Sequence, residues 1–105
     1  MPDISERYLE TIKRILAEYV GDCEVRAFGS RVCGTAKNYS DLDIAIVGAE
    51  KIKRRVKMLL KEAFEKSDLP FRVDVVDYNA ISDSFRAIIE DNYEIIQDKK
   101  EHRIQ

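Results

Sequence analysis

Gly29-Ser30-Arg31-Val32-Cys33-Gly34-Thr35-Ala36-Lys37-Asn38-Tyr39-Ser40-Asp41-Leu42-Asp43-Ile44-Ala45-Ile46-Val47 joins two kinds of sequence that ask for different backbones. Its first part, rich in Gly, Ser, Thr and Asn, cannot be a regular strand and reads as a loop or a short helical turn. Leu42 to Val47 is an apolar, β-branched run closed by Gly48, which predicts a central strand buried on both faces. Asp41 and Asp43 sit at the start of that strand. Residues two apart in a strand project from the same face, so two carboxylates share one surface beside the most core-like run of the chain. Crowding two anions there is unfavourable unless they are paired or bound to a metal. A divalent cation is the simplest compensation, and oxygen ligands with no His or Cys beside them favour Mg²⁺ or Mn²⁺ over zinc.

Working outward, Cys23 to Phe28 reads as a strand that runs into Gly29. Before it, apolar residues at Tyr8, Leu9, Ile12, Ile15, Leu16, Tyr19 and Val20 have helical spacing, with Asp3 as the expected N-cap, Glu6 as its capping-box partner and Gly21 as the stop. After it, Ile52, Val56, Leu59, Leu60, Ala63 and Phe64 predict a helix that ends before Ser67-Asp68-Leu69-Pro70. Phe71 to Asp77 reads as a third strand, Ser82 as the N-cap of a short helix carrying Phe85, Ile88 and Ile89, and Tyr93 to Ile96 as a last strand. The order αβ-loop-βαβαβ indicates an α/β or α+β domain, with room for one or two antiparallel pairs. Residues 98–105 form a polar tail.

Asp74 lies between Val73 and Val75, where a carboxylate has no packing role unless its face meets the same site from a neighbouring strand. Asp41, Asp43 and Asp74 could then hold two cations, the arrangement that stabilises attacking and leaving oxygens in phosphoryl or nucleotidyl transfer. Asp77 ends the strand and reads as structural. Gly29 and Ser30 have the chemistry to cradle a polyphosphate: close backbone approach, N–H donors and a hydroxyl, with Arg31 as an added charge. Each motif alone is weak; their order along the chain is specific.

Composition sets the outer limits. The 105 residues carry 18 Lys and Arg against 20 Asp and Glu, which suits one small domain over residues 1–105 and argues against a nucleic-acid coat protein. No apolar run reaches bilayer length and the first residues lack a secretory layout, so the cytoplasm is the expected location, with no membrane partner. Two cysteines, Cys23 and Cys33, and one histidine, His102, are too few for a disulfide scaffold or a zinc site. Residues 50–66 carry an excess of Lys and Arg, read as a solvated helix face, and residues 67–98 an excess of acids.

The Gly29-Ser30-Arg31 stretch followed by Ser40-Asp41-Leu42-Asp43-Ile44-Ala45-Ile46 resembles the signature of the DNA polymerase β-like nucleotidyltransferases, and most closely their minimal members, the MNT proteins. The resemblance covers nearly the whole chain and implies a palm-like mixed β-sheet flanked by helices. It also implies that Gly29, Ser30 and Arg31 bind the nucleotide, while Asp41, Asp43 and Asp74 are catalytic and bind two Mg²⁺ ions, or Mn²⁺. Minimal members are similar to antitoxins of HEPN/MNT pairs. That likeness implies ATP as substrate, transfer of AMP to a hydroxyl, a tyrosine by expectation, of a helical HEPN toxin, and a type VII-like antitoxin role. A hetero-oligomer with the toxin or a homodimer would suit it. A non-catalytic antitoxin that occludes its toxin, and a small-molecule nucleotidyltransferase with a separate substrate-binding subunit, are the competing readings.

Overall fold

The computed structural model describes residues 2–35 and 40–99. Eight elements follow one another: α1 (Glu6–Val20), β1 (Glu24–Phe28), α2 (Ser30–Cys33), β2 (Leu42–Val47), α3 (Arg54–Glu65), β3 (Val73–Asp77), α4 (Asp83–Asp91) and β4 (Glu94–Gln97). The strands form one mixed sheet in the order β3-β2-β1-β4. β1 pairs antiparallel with both β2 and β4, whereas β2 and β3 run parallel, with α3 as the crossover between them. The mixed sheet expected from the sequence is therefore present, and β2 is a central strand.

Alternation along the strands divides the core in two. Val25, Ala27, Leu42, Ile44, Ile46, Val73 and Val75 face α1 and α3, whose Leu9, Ile12, Leu16, Leu60 and Phe64 cover them. On the other face, Phe28 and Ala45 pack with Ile89 of α4 and with Val76, Phe85 and Tyr93. Asp43 lies between Leu42 and Ile44, so it belongs to this second, thinner layer, which leaves a carboxylate near solvent.

Two boundaries differ from the sequence reading, each for a local reason. α1 starts at Glu6 with Ser5 as the preceding extended residue, not at Asp3. The Asp3 N–H donates instead to the Arg31 carbonyl at 2.7 Å, drawing the N-terminal segment toward α2 and away from the helix end. β3 starts at Val73, because Phe71 is turned to meet the Tyr8 ring edge-on at 6.1 Å between centroids. Asp74 thus stands at the entry of the strand and is exposed, not in its middle. α4 begins as expected: Ser82 Oγ accepts from the Phe85 N–H at 3.2 Å. Among the described residues no helix is long and apolar enough to cross a membrane.

Candidate active site

The site forms where β1 ends and β2 and β3 begin. Gly29 follows β1 with φ 82° and ψ −156°, a conformation open to glycine and strained for other residues. It is glycine for a second reason as well. A Cβ on Gly29 would overlap the Asp43 carboxylate, so the missing side chain is what lets that carboxylate lie against the backbone. Ser30 opens α2, a single turn closed by the N–H groups of Val32 and Cys33, both donating to the Gly29 carbonyl at 3.0 Å. Gly34, at φ 79°, ends the turn in the left-handed conformation.

The register across the sheet brings the acids to this turn. Phe28 is opposite Asp43 in the β1–β2 pair, and Asp43 is opposite Asp74 in the β2–β3 pair, so a single row runs from the Gly29 turn over Asp43 to Asp74. Asp41 precedes β2, one residue before Leu42, whose N–H donates to the Arg72 carbonyl at 2.9 Å. The Asp43 carboxyl is held above the usual carboxylate range, first by burial and then by the charges of Asp74 and Asp41, with Arg72 opposing. A carboxyl raised by burial and by two neighbouring carboxylates is a place where positive charge is favourable.

Arg31 is placed differently from its two neighbours. Its side chain is buried, with Nε donating to the Ser40 carbonyl at 2.9 Å, Nη1 donating to the Asp3 carbonyl at 2.8 Å, and the guanidinium over the Phe71 ring at 4.2 Å. One side chain thereby ties α2, the N-terminal segment, the residue before Asp41 and the lead-in to β3. Asp77 is structural: it is buried, and its carboxylate accepts from the N–H groups of Ile52 at 2.8 Å and Asn79 at 3.0 Å.

The sequence reading missed Arg72. Its Nη2 donates to Asp41 Oδ2 at 2.9 Å, and the spacing to Asp74, two residues on in extended chain, was the available signal. Arg72 and Asp74 also line a cleft of about 410 Å³ with Lys61, Phe64, Glu65 and Leu69. Among the described residues, no three His, Cys, Asp or Glu side chains converge as a cation site in this arrangement, since Asp41 is turned to Arg72. The donor set still suits a divalent cation: three hard carboxylates, one of them pushed toward its neutral form by burial and by the other two.

The family pattern described as "Nucleotidyltransferase domain" matches residues 9–104. The chain belongs to the nucleotidyltransferase domain family. Among relatives of this nucleotidyltransferase, "Probable protein adenylyltransferase MntA" of Haemophilus influenzae is 49% identical over 98 residues, covering 93% of this chain and 86% of the relative. "Protein adenylyltransferase MntA" of Thermococcus cleftensis is 39% identical over 71 residues, 68% of this chain and 71% of that one. Solved structures share the nucleotidyltransferase fold. A toxin–antitoxin crystal structure with AMP-PNP aligns at a TM-score of 0.71 with 24% identity, over 84% of this chain and 71% of that one. A complex of MNT antitoxin with tri-AMPylated HEPN toxin of Shewanella oneidensis aligns at 0.67 with 20% identity, over 89% and 71%.

Proposed function

We propose that this nucleotidyltransferase transfers AMP from ATP to a hydroxyl of a helical HEPN-type protein and so acts as its antitoxin. What supports the reading most is one relationship: Gly29, held at positive φ, lies directly against the Asp43 carboxylate, with Asp74 opposite Asp43 in the next strand. A polyphosphate turn and an acidic row are thus joined in one site. Relatives named as protein adenylyltransferases, and the solved toxin–antitoxin complexes of the same fold, support the choice of substrate and partner.

In this reading the Gly29–Ser30 turn binds the triphosphate through backbone N–H groups and the Ser30 hydroxyl, as the first turn of a helix leaves N–H groups without internal acceptors. Arg31 serves the nucleotide indirectly, by fixing the turn relative to Ser40 and hence to Asp41. Asp41, Asp43 and Asp74 are the residues that would hold two Mg²⁺ ions, which when bound neutralise phosphate charge and lower the pKa of the acceptor hydroxyl. Their row also sets direction. With pyrophosphate leaving over the Gly29 turn, in-line attack comes from the opposite end of that row, past Asp74. Asp74 is therefore the carboxylate that orients the attacking hydroxyl and takes its proton. A tyrosine of the partner is taken as the acceptor on the likeness to HEPN/MNT pairs, one of which is solved with an AMPylated toxin.

The test is to incubate the chain with ATP, Mg²⁺ and its HEPN-type partner and to read the partner by mass spectrometry. An adenylyl increment on a tyrosine, lost with Asp43→Ala while binding of the two proteins persists, is the expected result. Protection from the toxin by Asp43→Ala without any adduct would refute transfer and leave occlusion.

A further inference from the structure

The cation closest to hand for Asp41 in this structure is a side chain. Arg72 Nη2 donates to Asp41 Oδ2 at 2.9 Å, and the two residues are brought together because the Leu42 N–H bonds the Arg72 carbonyl where β2 and β3 begin. Both partners are solvent-facing: the Arg72 side chain is 73% exposed and that of Asp41 40%. Such a pair is weak and screened by salt, so it can be exchanged without disturbing the sheet. Its position is less ordinary than its strength. Arg72 and Asp74 lie two residues apart in extended chain and line the same cleft, so the long guanidinium arm can pass from Asp41 along the carboxylate row toward whatever lies over it. A guanidinium fork also fits a phosphate as well as a carboxylate.

We propose that Arg72 is an exchangeable counter-ion of the site. It holds Asp41 until a divalent cation arrives, gives up the carboxylate to that cation, and then places its guanidinium on a phosphate of the bound nucleotide. Arg72 competes with the cation in the first step and assists the nucleotide in the second. Only the second step rests on the function proposed above.

The two steps have opposite signs, which a merely structural residue would not produce. Mn²⁺ alone, titrated at low salt without nucleotide and followed by the electron paramagnetic resonance of the free ion, should bind Arg72→Gln about three- to tenfold more tightly than the parent, the effect of removing one nearby screened positive charge. Arg72→Lys should fall between them, and the difference should shrink at high salt. With Mg²⁺ and AMP-PNP the order should reverse, with Arg72→Gln binding the nucleotide several-fold more weakly at an unchanged melting temperature. Equal or weaker Mn²⁺ binding by Arg72→Gln overturns the competition, and nucleotide binding indifferent to the substitution overturns the handover. A parent protein that binds no AMP-PNP would sink the nucleotide reading and the handover with it, while the Mn²⁺ comparison would still decide whether Arg72 competes for Asp41.

Discussion

Asp43 and Asp74 stand directly opposite each other in the parallel register of β2 and β3. Two like charges at paired positions of a sheet oppose folding unless the site is put to use. Burial and the neighbouring acids hold the Asp43 carboxyl above its ordinary range, so the folded protein retains a proton there that the unfolded chain has released. The sign follows: without divalent ions, stability falls as pH rises from the ordinary carboxylate range through the raised value, and the cost is fully present above it. Asp43→Asn should remove that slope and leave the protein as stable or more stable at neutral pH. Thermal melts across the acid range, with and without Mg²⁺, check this, and a less stable Asp43→Asn at neutral pH would count against it.

Gly29 and Gly34 make a controlled pair, since both have positive φ but only Gly29 faces an obstacle. Gly34→Ala should lose about 1 kcal/mol from backbone strain alone. Gly29→Ala adds a clash with the Asp43 carboxylate and should lose more than Gly34→Ala, together with nucleotide binding. Urea titration and calorimetry on the two variants separate strain from site damage.

Arg31→Met removes the hydrogen bonds of a buried guanidinium, among them those to the Ser40 and Asp3 carbonyl oxygens. A loss of about 2–4 kcal/mol is expected, scaled from charge-assisted hydrogen bonds. Arg31→Lys keeps the charge but not the fork that reaches Ser40 and Asp3 at once, so it should recover only part of that loss. Chemical denaturation of the three proteins measures it, and a full recovery by lysine would contradict the two-carbonyl bridge.

Lys53 and Lys61 are exposed on and beside α3. Reversing both charges should change stability by no more than about 1 kcal/mol per site. A collapsed melting temperature would show that this face is packed in a way the structure does not have.

Local pattern was enough for the elements of this protein and for singling out its unusually placed acids. The 3.6-residue spacing from Leu9 to Val20, the apolar run of Leu42–Val47 and the cap at Ser82 each depend on neighbours in the chain, so they could be read from it. Gly29, Ser30, Asp41 and Asp43 were legible because their residue types are unusual for their places. The fate of Arg31 was not, because a guanidinium next to a polyphosphate turn and one buried under the N-terminal segment look alike in sequence. Contacts with Asp3, Ser40 and Phe71, far apart along the chain, decide between them. The same holds for Arg72, whose partner lies 31 positions away, and for the start of β3, which Phe71 vacates to pack against Tyr8. Sequence determined which residues could do chemistry and which elements carry them, since both follow from local spacing; only the parallel pairing of β2 with β3 decided which charges meet, because that pairing is set by packing between distant parts of the chain.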